Sequence, residues 1–121
     1  MLGKEEVDIK GLVQTELNNA KVKWMGWPEG AILEELDLNL VNNTTDTLKD
    51  IHIDVSIKGP NHFSRLDKLP AKKELKGKEN THFKVHLFKY LKTRGKYYIT
   101  IRTYSTDPVR EYDLKEKTIT I

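Results

Sequence analysis

The chain has 121 residues, 37% of them hydrophobic and 32% charged, with a net charge of +3 and no cysteine. That length suits one domain with a real core, and the missing cysteine excludes disulfides, thiolate metal sites and cysteine nucleophiles. No apolar run approaches the roughly 18 residues of a membrane-spanning helix, and Met1 is followed by Lys4, Glu5 and Glu6 rather than by the apolar stretch of a secretory signal. The cytoplasm is therefore the expected compartment, and a domain excised from a larger surface protein would read the same way. Lys and Glu are abundant and Gln14 is the only glutamine, a composition that fits a heat-adapted source.

Ile, Val and Thr are plentiful and alternate with polar residues between turn signals, the pattern of an all-β chain. Residues 1–30 predict N-terminal strands, one over residues 7–17 and a weaker one near Val22 and Trp24, followed by the loop Met25-Gly26-Trp27-Pro28. Trp24 keeps the phase of Val22 and is expected to plug the core. Trp27 precedes Pro28, which forces extended or turn geometry; it is read as a lid over one end or, if exposed, as an anchor for a partner. Leu36, Leu38 and Leu40 then alternate with Glu35, Asp37 and Asn39 up to a turn at Asn42-Asn43-Thr44. The clearest strand covers residues 49–58. Ile51, Ile53, Val55 and Ile57 point one way there and Asp50, His52, Asp54, Ser56 and Lys58 the other, until Gly59 and Pro60 end it.

A short strand is expected over residues 63–69. Phe83, Val85 and Leu87 next alternate with His82, Lys84 and His86, and beyond Phe88 the spacing of Phe83, Leu87, Tyr90 and Leu91 predicts a helical turn capped by Gly95. From Lys96 onward, Tyr97, Ile99 and Ile101 oppose Tyr98, Thr100, Arg102 and Tyr104, and Ile119 with Ile121 closes the chain as a last strand. Seven or eight short strands in one domain, residues 1–121, predict an antiparallel two-sheet β-sandwich.

The run Leu91-x-x-x-Gly95-x-Tyr97-x-Ile99-x-Ile101 resembles the tyrosine corner of immunoglobulin-like and fibronectin type III-like sandwiches, where the tyrosine hydroxyl ties back to nearby backbone. Residues 31–121 also resemble the CARDB adhesion domains of bacteria and archaea, through Val41-Asn42-Asn43, the alternating strand with its glycine, and Asp107-Pro108-x-x-Glu111. A weaker resemblance, carried by Val41-Asn42-Asn43 and Leu69-Pro70-Ala71, is to the water-stress sandwich of the late embryogenesis abundant group 2 proteins. The adhesion family implies a non-catalytic surface module.

Residues with chemistry are few. His82 and His86 lie four apart on a strand, about 13 Å at roughly 3.3 Å per residue, too far to share one zinc with bonds near ~2.0 Å, and His52 belongs to the other sheet. Asn42, Asn43 and Asp46 could meet Asp107, Glu111 and Asp113 at one end as oxygen ligands for calcium, but no calcium-loop spacing occurs and Lys72, Lys73, Lys76 and Lys78 belong to the same end. No cofactor is expected. Glu35 and Asp37 share a solvated face rather than opposing one another in a cleft, and no hydrolase, phosphate-loop or zinc-protease motif is present. An enzyme is not expected.

Charge is uneven. Residues 68–96 hold ten Lys or Arg against Glu74 and Glu79, a local +8 that leaves −5 for the rest. With Phe88 and Tyr90 among them, these cations suggest an alternative function, weak polyanion or nucleic-acid binding. The favoured reading is a non-enzymatic interaction or scaffolding module with a protein partner. Its candidate surface is the face shared by the alternating strand and the tyrosine strand, with His52, Asp54, Tyr98, Arg102 and Tyr104, and with Trp27 as a separate candidate.

Overall fold

Alternation gives each strand one apolar face, and two sheets can bury those faces only against each other. The computed structural model describes residues 11–26, 29–106 and 109–121, with side chains at all of these except 68, 70 and 71. The strands among them are β1 (Val13–Met25), β2 (Gly30–Asn42), β3 (Leu48–Gly59), β4 (His62–Leu75), β5 (Asn80–Leu91), β6 (Lys96–Thr106) and β7 (Val109–Thr120). They form a three-stranded sheet in the order β1-β2-β5 and a four-stranded sheet in the order β4-β3-β6-β7. Every pairing is antiparallel. The expected all-β, two-sheet antiparallel sandwich is what the chain forms.

The interior is where alternation put it. Leu36, Leu38 and Leu40 from β2, Ile51, Ile53, Val55 and Ile57 from β3, and Tyr97, Ile99 and Ile101 from β6 are all at most 1% exposed. Amid this apolar layer the Thr15 and Thr103 hydroxyls, one from each sheet, meet at 2.7 Å and are fully buried. Each satisfies the other where no water can.

Tyr97 points inward, and its hydroxyl donates to the Thr93 carbonyl, the tie-back expected of the tyrosine run. Its ring lies flat on Gly59, where a Cβ would come within 2.3 Å of the Tyr97 ring. Only glycine fits there. The chain then turns through Pro60 and Asn61, whose φ of 53° is the left-handed conformation that asparagine tolerates.

Elsewhere bulges overrule period two. The two N-terminal strands expected from the sequence are one strand, β1, with register shifts at Leu17/Asn19 and Lys21/Val22; residues 7–10 of the first lie outside the described residues. The short strand expected over residues 63–69 runs on to Leu75, because shifts opposite Ile51/His52 and Ile53/Val55 scramble the phase of its leucines. The helical turn after Phe88 does not form. β5 continues to Leu91, and Phe88 takes a φ of 51° as the extra residue opposite the Leu33/Glu35 shift. That extra residue imitates a helical spacing. The last strand begins at Val109, well before Ile119. Trp24 does not plug the core: it pairs with inward-facing Ala31, but at the far end of β1 it is 59% exposed.

Candidate functional site

On the outer side of the four-stranded sheet, register arranges the side chains in rows across the strands. One row reads Phe63, Lys58, Tyr98, Thr118 from β4 to β7, and the next reads Arg65, Ser56, Thr100, Glu116. Asp54, Arg102 and Leu114 form the third row, and His52 and Tyr104 begin the fourth. The expected antiparallel pairing of the alternating strand with the tyrosine strand is present, with Asp54 opposite Arg102.

Asp54 is the anchor of this face. Its Oδ1 accepts from the Tyr104 hydroxyl at 2.9 Å, and its Oδ2 accepts from Arg65 at 3.2 Å and from Arg102 at 3.3 Å. The Arg102 guanidinium also lies 4.4 Å from the centroid of the Tyr104 ring, a cation–π contact. The His52 ring also packs against Tyr104, with ring centroids 5.7 Å apart. Arg65 is held more firmly protonated by its hydrogen bond to Asp54 and by nearby Asp67. These contacts leave Asp54 and Tyr104 only 7% and 5% exposed, although strand phase places both outside. Four of the sequence-predicted residues, His52, Asp54, Arg102 and Tyr104, are thus brought together and largely bound to one another. Tyr98 stands apart, two rows from Arg102 and half open to solvent. Trp27 lies outside the described residues.

Between the rows of walls lies a trough. Its floor is the short pair Ser56 and Thr100, and it opens into two shallow depressions of about 200 and 330 Å³ that share Ser56, Phe63 and Thr100. Phe63 on one flank is 68% exposed and Leu114 on the other is 60% exposed. Sequence reasoning missed Phe63, Arg65, Leu114 and Glu116, because only the register of β4 and β7, both displaced by bulges, shows that they share this face.

Other candidate groups are engaged locally. His82 pairs with Asp37 and His86 with Glu35 on the outer side of the three-stranded sheet, and no group of three or more His, Asp or Glu suited to a metal occurs among the described residues. The Asn42 amide donates to the carbonyls of Asp46, Leu75 and Lys76 and its oxygen accepts from Thr44, so this side chain builds the loop. The basic stretch is divided between both ends of β5. Lys72 pairs with Glu79, Lys84 with Glu35 and Arg94 with Glu29, and Lys78 donates to the Asn43 carbonyl. Burial, with help from Lys89, lowers the pKa of His62. Among the described residues no helix is long and apolar enough to cross a membrane.

The fold and this face define an all-β sandwich whose four-stranded sheet has an apolar-edged outer surface. No family model and no curated protein matches the chain. Among solved structures it is similar to the crystal structure of a family 76 glycoside hydrolase from a bovine Bacteroides thetaiotaomicron strain, with 14% identity and a TM-score of 0.39 over 86% of this chain. The match takes in 20% of that larger chain, and a likeness this slight carries no functional argument.

Proposed function

We propose that the chain is a non-enzymatic interaction or scaffolding module, an immunoglobulin- or fibronectin type III-like sandwich that holds a protein partner on the outer face of its four-stranded sheet. One observation carries this reading: Phe63, Tyr98 and Leu114 remain open around a trough whose surroundings are rigid sheet. Large apolar side chains beside charged groups on a preorganised surface are what protein contacts use. The strand order and the Tyr97 tie-back support the finer fold assignment, and the resemblance to adhesion domains agrees with a binding role.

The test is the double substitution Phe63→Ser with Tyr98→Ser, used as tagged bait in lysate from the native cell beside the unsubstituted chain. Both side chains project into solvent, so the melting temperature should hold while partner recovery falls. Undiminished recovery by a folded double variant would move the binding surface elsewhere.

A further inference from the structure

The rows on the outer face are built from complements. Lys58 lies beside the Tyr98 ring, Asp54 beside Arg102, and the hydroxyls of Ser56 and Thr100 side by side, with Arg65 and Glu116 closing the two ends of their row. A two-fold axis parallel to the strands, midway between β3 and β6, turns such a face onto a second copy so that each residue meets its own row mate. Arg65 then lies over Glu116 of the second copy, Lys58 over Tyr98 and Phe63 over Thr118, while Asp54 stays with its own arginines below them. Each contact recurs on the other side of the axis, as a two-fold interface requires. An axis running across the strands would instead stack Arg65 on Arg65 and Glu116 on Glu116.

We infer that the occupant of this face is a second copy of the chain, packed sheet to sheet about an axis along the strands. The inference rests on reading the face as the interaction surface. Two further observations favour it. Lys58 and Glu116 are exposed and make no ion pair with any described residue of their own chain, whereas the symmetric arrangement gives both a complement. The apolar flanks Phe63 and Leu114 lie on opposite edges of the face, where aligned packing of two sheets closes over them. Alternating signs of charge would repel neither copy, but they offer a polyanion no continuous cationic track.

Sedimentation equilibrium over a concentration series tests the pairing. The unsubstituted chain should pass from monomer to dimer, and Glu116→Arg should raise the dimer dissociation constant by about tenfold or more, because the lost pair occurs twice. Arg65→Glu should do the same, and an equimolar mixture of the two variants should dimerise again, since every arginine then faces an acid. Because Arg65 also touches Asp54, a second measurement guards against a folding defect. The chain has no cysteine, so Ser56→Cys can be cross-linked by a bismaleimide spanning about 10 Å, the distance between packed sheets, while Asn39→Cys on the opposite sheet should not cross-link. A chain monomeric throughout, a dimer indifferent to Glu116→Arg, or equal cross-linking at both cysteines would overturn the second copy as occupant. If a monomeric chain still lost a different protein through Phe63→Ser with Tyr98→Ser, the interaction face would stand and only its occupant would change.

Discussion

The two outer faces of the sandwich start from the same alternation of apolar and polar residues and end as different surfaces. On the three-stranded sheet, Asn18, Asn39 and Asn80 form an exposed amide chain, and Asp37 and Glu35 are partnered by histidines that are more than half exposed. On the four-stranded sheet, Asp54 is drawn down among Tyr104, Arg65 and Arg102 until little of it meets solvent. Strand period decides which way a side chain points; its neighbours on the two adjoining strands decide whether it is exposed. Asp54 is covered by long side chains from both flanking strands, Arg65 from β4 and Arg102 with Tyr104 from β6, whereas Asp37 on β2 lies opposite the short Asn19 on one side.

The sharpest test of this contrast removes one carboxylate from each face. Asp54→Ala should cost about 3 kcal/mol, because it removes an acceptor of a buried tyrosine hydroxyl and one carboxylate partner of each of two guanidinium groups. Asp37→Ala should cost less than about 0.5 kcal/mol, as exposed pairs do. Urea denaturation of both would settle it, and similar losses would mean that the two faces are energetically alike.

A finer version compares hydroxyls on one strand. Tyr104→Phe should lose about 1 kcal/mol with the hydrogen bond to Asp54, while Tyr98→Phe should leave stability unchanged. If Tyr104→Phe proved neutral, the burial of Asp54 would have to rest on its other contacts, the arginines among them.

The turn that leads from one sheet to the other has its own titration. Glu79 accepts from the Thr81 hydroxyl and the Lys76 backbone N–H and sits beside Lys72, which together hold its pKa near 2 instead of 4.5. A folded value below the unfolded one means that its contribution is complete above pH 4.5 and disappears as the pH falls toward 2. Across that window the stability advantage of the unsubstituted chain over Glu79→Gln should shrink, as thermal melts at successive pH values would show. A constant difference would remove the carboxylate from the account.

The smallest effect separates the faces by salt. Raising ionic strength should erase most of the few tenths of a kcal/mol carried by partly exposed lysine pairs such as Lys21–Glu34, about what screening does to surface charges. The cost of Asp54→Ala should move less, because the carboxylate itself is sheltered although its arginine partners reach solvent. An equal salt response from Asp37→Ala and Asp54→Ala would show Asp54 to be as wet as its counterpart.

Much of this architecture was legible in the residues. Wherever a strand keeps strict period two, as Ile51 to Ile57 and Tyr97 to Ile101 do, the inward set follows from phase, and the neighbouring of these two strands from the sandwich topology. Legibility failed at inserted residues. Phe88 made a strand look helical, and the shifts in β4 hid a long edge strand and, with it, the position of Phe63. Tyr104 and Trp24 failed for a different reason. Phase assigned their direction correctly, but burial depends on what the rest of the sheet places above them, and a single strand carries no record of that.

The paired hydroxyls of Thr15 and Thr103 have a consequence for how the two sheets find their alignment. A slab of leucine and isoleucine is forgiving: sliding one sheet by one inward position, two residues or about 7 Å, would exchange apolar contacts for other apolar contacts along most of its length. The same slide would leave two hydroxyls facing hydrocarbon, each costing about 1 to 3 kcal/mol. Adding little to the stability of the correct arrangement, the pair acts as a registration mark whose value lies in the misalignments it forbids. Replacing both threonines with valine would preserve the interior's shape and erase the mark, leaving a sandwich of similar strength with less reason to stop sliding where it does.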